Sequence, residues 1–179
     1  MKIVCIFDDS LYAIKYTGSP ENEFTKIFSA WHDTEFLYDF FEKNIRDLQN
    51  GPFGSIAIED AVISTLNIAL EMEKIFVDLS KKPIDDQNKY LDSLFEPLHK
   101  RNDVNELTKS KAKRNWLRIY ALKVTPNVYI VTGGAIKLTN AMADRKHTND
   151  ELKKLESCRR YLIQHQIINP EDITEEVEF

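Results

Sequence analysis

The chain has 179 residues, enough for one domain with a sizeable core. It is 42% hydrophobic and 30% charged, with five Gly and six Pro, which excludes collagen-like and low-complexity classes. Its net charge of −5 weighs against a general nucleic-acid binder.

In chain order, Lys2–Phe7 and Leu11–Tyr16 are β-rich runs separated by Asp8-Asp9-Ser10, which predicts a hairpin with Lys2–Phe7 as an edge strand. The opening "MKIVCIF" is too short for a secretory core and meets Asp8-Asp9 at once, and no apolar run has bilayer length. A cytoplasmic protein without a membrane partner is expected. Cys5 and Cys158, in no metal or redox spacing, then read as thiols in a reducing compartment. Ser19-Pro20 resembles an N-cap followed by proline at the first helical position, opening a helix with Phe24, Ile27, Phe28 and Trp31 on one side. Asp33 or Thr34 caps a second helix through "EFLYDFFEKNIRDL".

"QNGPFGS" breaks the chain. Glu59–Lys81 is the longest helical pattern, apolar enough to pack on two sides, and Lys81-Lys82-Pro83 ends it. "NKYLDSLFEPL" predicts a short helix running into a strand near Pro97. Three strands follow, Asn105–Lys109, Asn115–Val124 and Asn127–Gly133, the last two joined by a "TPN" turn. In "WLRIYALKV", alternation sets Leu117, Ile119 and Ala121 on one face and Trp116, Arg118, Tyr120 and Leu122 on the other. Thr148–Gln166 is an amphipathic helix with a Thr148/Glu151 capping box, and residues 167–179 are expected to be a frayed acidic tail. The whole predicts one domain over 1–179. Its class is α+β: an antiparallel sheet with the N-terminal helices on one face and a C-terminal helix.

Charge is unevenly spread. Pro97–His147 carries 11 Lys/Arg against three acids, a local +8, while the rest of the chain sums to −13. The run Lys109, Lys111, Lys113, Arg114, Arg118, with Lys123 and Lys137 beyond it, coincides with the strand patterns. It is either a solvated face or a surface for phosphates, for which arginine offers a planar fork. No P-loop, hydrolase signature or metal spacing is present. "TGGA" reads as a turn or bulge rather than a phosphate cradle, and His32 and His99 as surface or partly packed residues.

The matching stretches "NELTKSK", "WLRIYAL", "NVYIVTGGAIKLT" and "ELKKLESCRRYL" resemble the C-terminal half of RelE/ParE/HigB-superfamily toxins, and "LYAIKYTGSPENEFTKIF" resembles that family's first strand and helix. The likeness covers about two-thirds of the chain. The Glu59–Lys81 helix, the Lys2–Phe7 strand and the acidic total depart from the family pattern, and "NELTKSK" lacks its usual arginine. The resemblance implies a RelE-like fold and metal-independent cleavage of mRNA, on the ribosome, with no cofactor. It also implies a cognate antitoxin of helix-turn-helix type. RNA carries its own nucleophile, the 2′-OH, so such a protein needs only to align it, move protons and balance charge. By position the resemblance assigns catalytic roles to Arg118, Lys137 and His147, and RNA contacts to Lys109, Lys111, Lys113, Arg114 and Arg145. The alternatives remain open: Arg118 as a cation–π partner of Trp116 and Tyr120, Lys137 as a solvated cation, and His147 as a helix-start residue. At the level of function the alternative is a non-catalytic binding or regulatory protein on the same fold, phage or mobile-element derived.

Overall fold

The computed structural model describes residues 1–82, 91–98 and 107–173. Strands β1 (Lys2–Phe7) and β2 (Leu11–Lys15) lead into helices α1 (Glu23–His32), α2 (Thr34–Lys43), α3 (Ile45–Asn50) and α4 (Ile58–Ser80). Strands β3 (Phe95–Pro97), β4 (Thr108–Arg114), β5 (Leu117–Thr125) and β6 (Val128–Ile136) follow, then helix α5 (Lys146–Gln164). The strands form one six-stranded sheet in the order β1-β2-β6-β5-β4-β3.

The β1–β2 hairpin forms through the expected turn, with β1 at the edge. The sheet is mostly antiparallel, but β2 lies parallel to β6, pairing Leu11, Tyr12 and Ala13 with Tyr129, Ile130 and Val131. This corrects the purely antiparallel expectation. The helices between β2 and β6 let the chain cross over, and a parallel partner needs such a crossover.

Period-two alternation divides the core. Leu117, Ile119, Ala121, Tyr129 and Val131 face α1 to α4, together with Phe28, Trp31, Leu37, Phe41, Ala69 and Phe76. Leu122, Val128 and Ile130 face α5 through Leu155, Cys158 and Leu162. The sheet is therefore sandwiched between two helical layers. The N-terminal helices do share one face, as expected.

Several boundaries shift for local reasons. Asn22, not Ser19, caps α1, its side chain accepting from Thr25 N, so Ser19-Pro20 precedes the helix. Asp33 caps α2 by accepting from the amides of Glu35 and Phe36. The predicted second helix is broken at Asn44, whose side chain donates 2.8 Å to Phe40 O. β4 runs later than Asn105–Lys109, residues 105 and 106 lying outside the described set. β5 starts two residues late because Asn115 and Trp116 form the hairpin turn, Asn115 taking φ 51°. Trp116 therefore leaves the Arg118 face. It packs edge-on to Phe41 and Phe53 and donates 3.0 Å to Thr65 Oγ1. The Pro126-Asn127 turn forms, Asn127 at φ 65°, and β6 continues three residues past Gly133. The bulge read into "TGGA" sits at Thr132, where Tyr120 pairs with Gly133 and Ala121 with Val131.

α5 begins at Lys146, and Thr148 lies inside its first turn, donating to Met142 O and to Arg145 O. The Thr148/Glu151 capping box is not formed. Of the expected frayed tail, Ile167 and Ile173 pack against the α5-side core and Asp172 closes a turn with Asn169, while 174–179 lie outside the described residues. Among the described residues, no helix is long and apolar enough to cross a membrane.

Candidate functional site

The α5-facing side of β4, β5 and β6 carries Lys109, Lys111, Lys113, Arg118, Tyr120, Leu122 and Ala135, because Lys109 pairs with Leu122, Lys111 with Tyr120, Lys113 with Arg118, and Arg118 with Ala135. Lys137 continues this alternation beyond β6, its backbone amide donating 2.8 Å to Trp116 O. α5 covers only part of the face. At the uncovered end a cavity of about 390 Å³ is lined by Lys111, Arg118, Tyr120 and Lys137, with Leu98, Met142 and Leu152 as its apolar wall.

Three of the eight predicted residues meet there: Lys111, Arg118 and Lys137. Arg118 Nη1 donates to the carbonyls of Asn115 (2.5 Å) and Leu117 (2.7 Å), which fix the guanidinium without cancelling its charge. Lys137 Nζ donates 2.6 Å to Asn140 O, again a carbonyl. Among the described residues, neither has a carboxylate at ion-pair distance. Lys111 is 3.8 Å from Glu96 Oε1, which binds Lys113 more closely at 2.8 Å.

The electrostatics follow from this crowding. Burial, then the charges of Arg118 and Lys111, lower the pKa of the Lys137 ammonium. Burial also lowers that of Arg118, against the pull of Tyr120 and Glu96. The Lys113 hydrogen bond, with Lys111 and Arg118 behind it, holds Glu96 below the usual carboxylate range. Tyr120 is 0% exposed, yet its hydroxyl has no hydrogen-bond partner, and burial keeps the phenol protonated. The Tyr120 hydroxyl therefore keeps an unmet hydrogen-bonding capacity beside cations that no carboxylate of the described residues neutralises.

The other five predicted residues are engaged elsewhere. Lys109 is bound to Glu156 of α5 at 2.5 Å, and Lys113 to Glu96. Arg114 pairs with Glu71 of α4. Arg145 grips Asp47 of α3 through Nε and Nη2, so it belongs to the other helical layer. His147 Nε2 lies 3.0 Å from Ile136 O, and its ring stands edge-on to Phe40 of α2 at 5.2 Å. It does not line the cavity. Lys109, Lys111, Lys113, Arg118 and Lys137 thus share one sheet face, where Lys111, Arg118 and Lys137 line the cavity, while Arg114 and Arg145 are held by Glu71 and Asp47 of the other helical layer.

Sequence reasoning placed Tyr120 on the Arg118 face but assigned its hydroxyl no role. Asn140 and Met142 were also missed, since nothing in the pattern shows that the turn after Lys137 folds back. Cys158, at the α5–sheet interface, has its thiol pushed up to about 12 by burial. Among the described residues, no group of three or more His, Cys, Asp or Glu is placed to hold a metal. No protein-family model matches the chain, and neither a curated protein nor a solved structure matches it.

Proposed function

We propose that this cleft binds RNA and that the protein is a RelE-like, metal-independent endoribonuclease, neutralised by a small cognate antitoxin. The observation that carries the reading is the convergence of Lys111, Arg118 and Lys137 on one cavity with an unpartnered buried phenol. The apolar wall beside these charges suits an amphipathic anion such as a nucleotide. A partly desolvated arginine fork is the group that best grips a phosphodiester.

In this reading the 2′-OH attacks phosphorus, the P–O5′ bond breaks, and a 2′,3′-cyclic phosphate and a 5′-hydroxyl result. Lys137 in its neutral form takes the 2′-OH proton, which its lowered pKa favours. Lys111 gives a proton to the departing O5′. Arg118 and the Tyr120 hydroxyl donate to the phosphoryl oxygens as charge builds. Expression in a bacterium arrests growth, and the Arg118→Ala/Lys137→Ala double variant relieves the arrest. Unchanged toxicity in that variant sinks the assignment.

One observation favours a second reading, a non-catalytic RNA-binding or regulatory protein on the same fold. Among the described residues the cavity is lined by no histidine and no carboxylate, and His147 is held on the other side by Phe40 and Ile136. Synthetic RNA that is retained at low salt but recovered uncut selects this reading over cleavage.

A further inference from the structure

α4 buries one side through Ala61, Val62, Thr65, Ala69, Met72, Phe76 and Leu79. Its opposite side is also apolar. Ile63, Leu70 and Val77 are 58%, 55% and 43% exposed and recur every seventh residue, which aligns them along one face of the helix. At 1.5 Å per residue the stripe from Ile63 to Val77 is about 21 Å long on a 23-residue helix. Exposed Glu59 stands one turn before Ile63, and exposed Lys81 follows Val77 by one turn. Of the acids on the flanks, Glu71 is paired with Arg114, Glu73 lies 3.0 Å from His32 Nε2, and Asp78 lies 4.0 Å from Lys81, a loose solvent-exposed pair that leaves the lysine able to meet a second carboxylate.

This pattern is symmetric about Leu70. We propose that α4 is a self-association surface, with a second copy of this chain docked antiparallel on the stripe. A two-fold axis at Leu70 sets Leu70 against its own counterpart and Ile63 against Val77 of the second copy. It also sets Glu59 against Lys81 of the second copy, twice. A parallel pair would put Glu59 against Glu59 and Lys81 against Lys81, so charge selects the antiparallel arrangement. The match of apolar stripe and complementary ends points to a like partner rather than to a strongly basic one. α4 lies on the opposite side of the sheet from the cationic cavity, so both cavities stay open in the dimer, and the inference does not rest on the RNA reading. With one helix pair at its centre, the interface is small and the dimer dissociates on dilution.

Sedimentation velocity of the full chain tests this. The expected result is a concentration-dependent shift from monomer to dimer, abolished by Leu70→Glu with unchanged circular dichroism. In a Cys5→Ser background, Leu70→Cys gives a disulfide-linked dimer on mild oxidation. Lys153→Cys, an exposed position on α5, does not. A wild-type chain monomeric at every concentration overturns the proposal. So does a Leu70→Glu chain that still dimerises, or a Leu70→Cys chain that cross-links no better than Lys153→Cys.

Discussion

Lys154 of α5 and Glu23 of α1 belong to opposite helical layers, yet Lys154 Nζ meets Glu23 Oε2 at 2.7 Å. The contact forms beside Gly133 of β6, and Glu151 Oε1 completes it at 3.0 Å. Glu23 is only 4% exposed. Burial works against the Lys154 charge, but Glu151 and Glu23 outweigh it and raise the pKa. Burial also raises that of Glu151, which has the weaker hold on the lysine.

Removing the cation therefore costs more than removing the second acid. Lys154→Met leaves the buried Glu23 carboxylate with only the exposed Lys26 ammonium, 3.5 Å from its Oε1, and is expected to destabilise by up to about 3 kcal/mol. Glu151→Gln costs less, because a folded-state pKa above the unfolded one means that its ionised form opposes folding. That opposition is absent at low pH and grows as pH rises through the folded value. Urea unfolding at two pH values checks both the order and the sign. A larger loss for Glu151→Gln at neutral pH contradicts this account.

Gly133 and Gly134 answer differently to alanine. A Cβ at Gly133 would run into Glu151 Oε2 and stand 2.8 Å from Lys154 Nζ, both ends of flexible side chains. A Cβ at Gly134 would stand 2.8 Å from the backbone oxygen of Arg118 and 2.9 Å from Ile27 Cδ1. Gly133→Ala is expected to be partly rescued by Glu151→Ala, and Gly134→Ala by no single change. Thermal melts of the three chains decide it, and equal rescue of both glycines contradicts it.

Tyr120→Phe should have effects of opposite sign on stability and on binding. The hydroxyl is buried without a partner, so its removal relieves desolvation and leaves the free protein equally stable or up to about 1 kcal/mol more stable. The same change weakens RNA binding by several-fold. Equal RNA affinity in the two proteins removes the phenol from the site.

Salt dependence separates cleft cations from paired ones. Arg118→Ala and Lys137→Ala each reduce the slope of log affinity against log salt by about one contact, whereas Lys109→Ala and Arg145→Ala, with carboxylates at Glu156 and Asp47, leave it unchanged. Titrations of single-stranded RNA across a salt series measure this. A uniform loss over all four variants shows a diffuse basic surface instead.

Cleavage should rise with pH. Lys137 is held below the ordinary lysine range by burial and by Arg118 and Lys111, so its neutral fraction grows at lower pH than a free lysine's. Lys137→Arg keeps the cation but loses the base, and is expected to bind RNA while cutting it at least about 100-fold more slowly. A rate that falls with pH over the same range, or an active Lys137→Arg, excludes Lys137 as the base.

Much of this arrangement was legible from alternation alone. Period two placed Leu117, Ile119 and Ala121 in one core and set Arg118 beside Tyr120 on the other face. Other features are settled by residues far away in the chain. Glu71, Asp47, Glu96 and Glu156 claim cations that seemed part of one surface, and no local pattern announces such pairs. The start of α1 was set too early because Ser19-Pro20 carries the pattern of a cap and first helical residue, whereas Asn22 is the residue whose side chain accepts from Thr25 N. Trp116 was misplaced because alternation was extended into a turn, where it does not apply.

The parallel pairing of β2 with β6 also sets an order of events. β4, β5 and β6 join through tight turns and can zip locally, whereas Leu11 must wait for Tyr129, roughly a hundred residues later in synthesis. Until β6 has emerged, β2 offers Leu11, Ala13 and Ile14 along an open strand edge, three residues that end fully buried. A nascent chain halted before β6 is therefore expected to be a sticky species, with the N-terminal hairpin docking after the β4–β5–β6 meander.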